Sequence, residues 1–368
     1  MLGKTITKSL ISEFLVALLA IQFGVAALYI LVDFFERLDV VLTNDIPTSV
    51  VARYFAYKLP LVVYQTLPAA VTIALLSVLV QRHRHREIIA LNALGIGPRQ
   101  IAAPMIAAAM VVSVIAFLWG EIVVPPSLRS AQEINLREIK KRDRRNILAE
   151  REIWFRGPMG IYHVAYVDRA AKSLLGVTTY ELGSDFTLSR VTYFPELRWT
   201  PSGWISPGGS REVFPALRNG DEDSGQQAAQ PTLQGDFEEF AEVQREPEEL
   251  SLHDMWRQRA LLKSLGLPTT RLSVELYLKT ALPFAPLALA LALLPLNLRL
   301  QQPYQISHTL VASAFLGFAY WLLLGLASSL GQAGTLSPLF AAWVTNAIYA
   351  AVGCAFLFFK TAVLPDPP

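Results

Sequence analysis

Little in this sequence suits disulfide, metal or nucleic-acid chemistry. Cys354 is the one cysteine in 368 residues, which excludes an intrachain disulfide and a cysteine-held metal cluster. Lys and Arg total 32 against 30 Asp and Glu, and a net charge of +2 makes no case for nucleic acid as a partner. No glycine-rich loop ends in Gly-Lys-Ser/Thr, so ATP binding through that fold is not expected, and no serine stands in the Gly-x-Ser-x-Gly setting of a nucleophile elbow. Charge itself is scarce, at 17% of residues against roughly 25% in an ordinary soluble domain.

The shortage is uneven. Residues 14–32, 59–81, 100–120, 280–298 and 300–359 contain no Asp, Glu, Lys or Arg. Crossing ~30 Å of hydrocarbon at 1.5 Å per residue takes about 20 apolar residues, so these runs predict a polytopic α-helical membrane protein. Spans are expected over residues 12–32, 59–80 and 101–124, the third stopping at Pro125-Pro126. Three more are expected over 276–298, 310–330 and 338–359, with Gly331-Gln332-Ala333-Gly334 turning between the last two. Pro68 predicts a local kink, because it lacks an N–H and clashes with the preceding turn. The first run ends in Asp33-Phe34-Phe35-Glu36-Arg37 rather than at a small-residue cleavage site, which argues against a removed signal peptide despite Lys4 and Lys8.

Residues 127–270 read differently. A charged stretch over 129–151, its first half helical, precedes short segments rich in β-formers at 152–155, 161–167, 176–180, 188–193 and 203–205. Turn formers such as Gly157-Pro158, Gly183-Ser184-Asp185 and Pro207-Gly208-Gly209 separate them, the pattern of a small antiparallel β-domain. Residues 219–230 read as a solvated loop and 252–265 as an amphipathic helix. The expected organisation is therefore residues 1–126 with three spans, 127–270 with the β-rich insertion, and 271–368 with three more spans. Lys4, Lys8, Arg82, Arg84, Arg86, Arg99, Arg299 and Lys360 all fall on the side that carries both termini, which makes that side cytoplasmic and the β-domain external. Arg53 and Lys58 run against this trend, but Asp33, Glu36, Asp39 and Asp45 share their loop.

Residues 81–99 are the most informative. Ile88, Leu91 and Leu94 recur at helical spacing, Arg84, Arg86 and Glu87 cluster at the start, and Gly95 and Gly97-Pro98 stop the segment. Such a short amphipathic helix, near 84–95, reads either as a plug for a cytoplasmic partner or as a membrane-surface turn with positive-inside arginines. His83 and His85 are separated by only one residue, and their flanking arginines repel a cation, which speaks against a metal there. At the far end of the first span, Phe34 and Arg37 present a ring and a cation that meet either a lipid headgroup or local ion pairs. Arg53 and Lys58 either line a basic rim or snorkel. Trp154, Phe155, Trp199 and Trp204 read as β-domain core, and Gly317, Gly325 and Gly353 as sites of close helix approach. Spans without buried charge lower the case for an ion-coupled transporter and favour coupling to an outside energy source.

Four stretches, in order, carry a likeness to a known family: Val32-Asp-Phe-Phe-Glu-Arg-Leu-Asp39; Arg86-Glu-Ile-Ile-Ala-Leu-Asn-Ala-Leu-Gly-Ile-Gly97; Gly176-Val-Thr-Thr-Tyr-Glu-Leu182 through Trp199 and Gly203-Trp204; and Leu330-Gly-Gln-Ala-Gly-Thr-Leu-Ser-Pro-Leu-Phe-Ala-Ala-Trp-Val-Thr-Asn346. With the three-plus-three topology, the chain resembles the lipopolysaccharide-export ABC transporter permeases LptF and LptG (the YjgP/YjgQ family). Its last stretch, with Gly331, Gly334, Pro338 and Ala341-Ala342-Trp343, is closer to the LptG branch. The resemblance implies a non-enzymatic permease of the Gram-negative inner membrane that extracts lipopolysaccharide and passes it to a periplasmic bridge.

It also implies partners: an LptB-like ATPase dimer that holds the ATP and magnesium, a second permease of the LptF type, and an LptC-like single-span protein. No cofactor is implied in this chain itself. The β-domain is expected to be jellyroll-like, and lipid to enter through a gate at the first and fifth spans. Arg86, Glu87, Ile88, Ala90, Leu91, Leu94 and Gly95 match the family's coupling helix, with Glu87 as the acidic residue that engages the ATPase. Arg37 falls near the basic residues that meet lipid phosphates, with Phe34, Arg53 and Lys58 around it. Ile30 and Leu31 stand where some members have a further lysine, and the fourth span is only loosely like the family's. Two other readings compete: another type of ABC permease or mechanotransmitter with an external domain, and a membrane-embedded enzyme, for which no convergent polar set is visible.

Overall fold

The computed structural model describes residues 2–139, 153–157, 160–168, 171–182, 187–200, 203–215, 247–264, 268–298 and 305–358. The chain divides into two compact units, Met1–Ile139 with Thr270–Pro368, and Lys140–Thr269. Residues 219–230, Arg299, Lys360 and the side chains of Lys4, Trp154 and Phe155 lie outside the described residues.

The first unit is all helical. Its elements are α1 (Leu2–Thr43), α2 (Thr48–Arg84), α3 (Glu87–Ala93), α4 (Pro98–Ile122) and α5 (Val124–Ile134), extended by a π turn over Asn135–Ile139. Among the described residues six helical segments are long and apolar enough to cross a membrane. The fourth of these, Thr270–Leu298, is compound. Helix α7 (Thr270–Ala281) passes through a 3₁₀ turn at Leu282–Phe284 into α8 (Ala285–Leu298). Helices α9 (Gln305–Gln332) and α10 (Pro338–Phe358) complete the unit.

Two helices run further than the apolar runs predict. At 42 residues α1 is roughly 63 Å long, and α2 at 37 is roughly 55 Å, both well beyond ~30 Å of hydrocarbon. A second apolar cluster explains the extension: Ile46, Val50, Val51, Tyr54, Ala131, Ile134 and Ile139, flanked by Phe34, Val41 and Phe55, packs the distal ends of α1 and α2 against α5. The segment Asp33–Asp39 and the residues Arg53 and Lys58 are therefore helical. Pro125 and Pro126 also act differently from expectation. They open α5 instead of merely ending α4, since a first helical turn needs no proline N–H.

On α1 the buried positions Leu10, Phe14, Leu18, Gln22 and Ala26 recur every four residues, one line along the helix, while Phe23, off that line, is 79% exposed. Gln22 donates through Nε2 to Thr66 Oγ1 on α2 at 2.7 Å. The compound fourth span is the most enclosed of the six, and α1 and α9 are the least covered. Helices α8 and α10 touch at Gly353, where a Cβ would run into the carbonyl of Leu291. Of the other glycines read as contact points, Gly325 faces open space and Gly317 reaches only Thr72 Cγ2 at 3.9 Å, whereas Gly331 is closed in by Ala341 and Val274.

The second unit carries one antiparallel sheet: β1 (Ile153–Gly157), β2 (Gly160–Asp168), β3 (Ser173–Leu182), β4 (Leu188–Thr200), β5 (Gly203–Ile205) and β6 (Arg211–Pro215). The strands run in order β1-β2-β3-β4, and the long β4 pairs β5 near Trp199 and β6 near Val191. Among the described residues the sheet is open. Val164, Val177, Phe194, Leu197 and Trp204 are buried in its core, and the Trp199 and Trp204 rings meet edge to face at 5.1 Å. Helix α6 (Leu252–Ser264) begins with a reciprocal cap, the Asp254 amide donating to Ser251 Oγ and the Ser251 amide to Asp254 Oδ2.

Because backbone atoms of α8 cannot give way, Gly353→Val is expected to overpack the α8–α10 contact by roughly 1–3 kcal/mol. Gly325→Val, in open space, should be near neutral. Thermal unfolding of the two variants in the same detergent checks the difference.

Candidate functional site

Two clusters of charge stand out in the helical unit, apart from a Lys279–Glu121 pair at 3.4 Å. The first surrounds α3. Arg86 turns the chain between α2 and α3 in a left-handed conformation with φ 57°. The far end of α3 closes on Gly95 at φ 81°, with the Gly95 amide donating to the Asn92 carbonyl and the Ile96 amide to the Leu91 carbonyl. This pair of bonds needs a residue in the left-handed region, which favours glycine at that position.

The side chains sort by direction. Ile88 is fully buried against Leu10, Leu79, Ile101 and Met105, and Leu91 and Ile96 pack partly against the same core. Arg86, Glu87, Ala90, Leu94 and Gly95 are exposed. Leu94, expected on the apolar face, is 68% exposed because the helix ends at Ala93 and the next turn re-aims it. So α3 is fastened from below by Ile88 and Leu91 and presents Glu87, Ile89, Ala90 and Leu94 outward.

Arg82, the cation that organises this end, was not singled out by sequence reasoning. Its guanidinium grips Glu13 with two bonds, Nε to Oε2 at 3.0 Å and Nη2 to Oε1 at 2.6 Å. Nη2 also donates to Ser9 Oγ at 2.8 Å, and Nη1 to Glu87 Oε2 at 2.9 Å. Three helices thus meet on one side chain that is 9% exposed, while the Glu87 side chain remains 47% exposed. The available signal was positional: Glu13 and Arg82 each abut a charge-free run at the same expected face.

The second cluster lies at the opposite ends of α1 and α2. Asp33 accepts from Lys58 Nζ at 2.7 Å and from Arg37 Nε at 3.3 Å. Arg37 also reaches Asn135 Oδ1 at 3.4 Å and lies 4.9 Å over the Tyr54 ring. Arg53 pairs with Glu138 of the π turn, and the Phe34 ring packs against Phe35 and Phe55. The structure therefore brings Phe34, Arg37 and Lys58 together around Asp33 and Tyr54, with Arg53 on a separate, more exposed pair. Asp33 is the residue here that the sequence showed only as one acid among four.

Among the described residues no group of three or more His, Cys, Asp or Glu is placed to hold a metal. His83 Nε2 lies 2.9 Å from the Asn297 carbonyl of α8, and Asn297 Nδ2 donates to Ser313 Oγ of α9 at 3.1 Å. A small apolar cleft of about 270 Å³ is lined by Tyr64, Pro68, Pro283, Pro286 and Trp321.

Asp33 and Lys58 are each only 12% exposed, so removing the acid strands a nearly buried ammonium. Asp33→Asn is expected to cost roughly 3 kcal/mol. Breaking the exposed Arg53–Glu138 pair by Arg53→Ala should cost about 0–1 kcal/mol. Denaturation of the two variants side by side checks the ranking.

A comparison with curated proteins returns no match. A family model does match, and it spans both charge clusters, the six apolar helices and the β-rich insertion. Matched over residues 8–359, the chain belongs to the family described as lipopolysaccharide export system permease LptF/LptG.

Proposed function

We propose that this chain is the LptG-type permease of an ATP-driven lipopolysaccharide extractor, working in the Gram-negative inner membrane beside a second permease of the LptF type. Both termini are cytoplasmic in this reading. Residues 127–270 form the periplasmic β-rich domain, jellyroll-like once complete, between the spans of 1–126 and 271–368. An LptB-like ATPase dimer holds ATP and magnesium, and an LptC-like single-span protein joins the assembly. The LptG assignment rests on Gly331, Gly334, Pro338 and Ala341-Ala342-Trp343.

The observation that carries the reading is α3: a short helix anchored inward by Ile88 and presenting a half-exposed carboxylate, Glu87, beside exposed Ile89, Ala90 and Leu94. A surface turn that only closed α2 onto α4 has no need of an outward apolar row with an acid at its head. Arg86, Glu87, Ala90, Leu94 and Gly95 form the face that enters the ATPase groove, and Ile88 and Leu91 hold that face in register with the bundle.

The lateral surface fits a lipid path. Phe23 on α1 and Val311 on α9 are 79% and 71% exposed, and Phe315, Phe318, Leu322 and Leu326 continue the α9 face. Apolar patches beyond a few hundred Å² mark a membrane or partner surface. These two spans form the gate through which lipid enters from the outer leaflet. The cleft of about 270 Å³ lies below the roughly 300–1,000 Å³ of ordinary ligand sites, and a groove of about 650 Å³ along Ile11, Leu15 and Leu19 of α1 is open, so a whole lipid needs a second subunit to enclose it.

At the outer end, Arg37 is the cation that a lipid phosphate takes over, with Phe34 and Lys58 around it and Arg53 on its separate pair with Glu138. The Arg37 contacts at 3.3 and 3.4 Å are looser than the 2.7 Å pair of Lys58 with Asp33, and 30% of the Arg37 side chain is exposed.

In native membranes, Glu87→Lys is expected to cut ATPase co-purification or lipid-stimulated ATP turnover by roughly tenfold or more, the scale of a charge-assisted bond lost and a like charge introduced. Wild-type levels of both would remove the docking role of α3. Arg37→Glu and Arg37→Ala are expected to reduce lipopolysaccharide photocrosslinking at the first span without loss of the ATPase. Undiminished crosslinking in both variants would remove Arg37 from the lipid path.

A further inference from the structure

Arg82 joins three helices through one guanidinium, and its bonds to α1 and to α3 are unequal. Toward α1 it makes a two-pronged grip on Glu13 at 3.0 and 2.6 Å, backed by Ser9 Oγ at 2.8 Å. Ser9 in turn donates to Glu13 Oε1 at 2.7 Å, which holds that carboxylate in place. Toward α3 it makes a single bond to Glu87 at 2.9 Å. A bidentate guanidinium–carboxylate pair is both stronger and geometrically stiffer than a single contact, so the α3 arm exchanges first. An incoming cation can therefore settle on Glu87 without stranding Arg82, which keeps Glu13.

We propose that Arg82 is a positioning residue that couples α3 to α1. It presents Glu87 in the undocked state, and it passes the displacement of α3 on docking to the inner end of α1 through Glu13 and Ser9. The inference rests on the docking reading of α3 and adds to it a route by which events at the ATPase reach a span with an uncovered apolar face. Ile88 and Leu91 fix α3 to the common core by apolar contact alone, which resists separation but not small sliding. The charged link is directional, since a guanidinium holds its carboxylates in one plane. Glu13 lies outside the buried line of Leu10, Phe14 and Leu18 on α1. Its side chain is 47% exposed, and its role is the tie to Arg82.

The test uses the full complex purified from native membranes and reconstituted in vesicles of phospholipid and lipopolysaccharide, with lipid released per ATP hydrolysed as the readout. A merely structural loss lowers the number of active molecules, which reduces release and hydrolysis together and leaves their ratio unchanged. Glu13→Gln and Arg82→Gln are expected to lower the ratio about fivefold or more, the lower end of ordinary coupling between sites, with the ATPase still bound. The double variant should be no worse than either single one, because both break the same link. A ratio that stays at the wild-type value in Glu13→Gln overturns the proposal. Should Arg82→Gln fail to fold, Glu13→Gln and Ser9→Ala decide by the same criterion. A wild-type complex that binds no ATPase or releases no lipid would instead defeat the functional reading on which the proposal stands.

Discussion

A bilayer offers no water to a backbone carbonyl or amide, so each one must find its partner inside the protein. The proline-broken fourth span meets this constraint in the most demanding way, and the helical unit is arranged around its solution. At the 3₁₀ turn the Ala285 amide donates to the Leu282 carbonyl, three residues back, and no longer serves Ala281. Asn346 of α10 fills that place, donating from Nδ2 to the Ala281 carbonyl at 2.8 Å while its Oδ1 accepts from Tyr320 of α9 at 2.8 Å. One side chain thereby ties three helices at the point where one of them breaks. Near the other end of the same span Asn297 repeats the device, joining Ser313 through its side chain and His83 through its carbonyl.

This polar bracing allows the enclosed fourth span to hold α2, α4, α9 and α10 around it without needing every helix face. The barest faces left over are on α1 and α9. Spare apolar surface costs nothing in lipid, where the surroundings are as apolar as the side chains, and it leaves those helices free to meet lipid or a second subunit. Charge does the opposite work. Much of it gathers in two places, where Asp33 draws Arg37 and Lys58 together toward one end of α1 and Arg82 draws Glu13 and Glu87 together toward the other. Helix α1 is thus fastened by directional bonds at both termini and by an apolar line between them. For a permease of this family, a span held at its ends and bare along its outer side is a sensible place for a gate.

Much of the architecture was legible in the residues. Charge-free runs located the spans because hydrocarbon excludes unpaired charge regardless of tertiary detail. Turn formers between short apolar segments located the β-domain, although β6 was missed and β4 proved longer, since strand ends depend on their neighbours. Gly95 was readable as a helix stop because the left-handed residue it requires is a local matter. Helix lengths were not readable: the apolar cluster of Val50, Tyr54 and Ile134 that prolongs α1 and α2 is assembled from segments some eighty residues apart.

The candidate site divides along the same line. Glu87 and the helical spacing of Ile88 and Leu91 can be seen in seven consecutive residues, because an amphipathic turn writes its own period into the chain. That Leu94 faces out, that Arg82 carries Glu13 and Glu87 at once, and that Asp33 neutralises Arg37 and Lys58 depend on where separate helices end relative to one another. Sequence alone determined which segments enter the membrane and where charge is permitted, since those follow from the solvation of each residue by itself. Which charges meet, and which apolar faces remain bare, was decided only by the packing of the helices, because an ion pair and a buried surface each need two partners and the chain does not state which two.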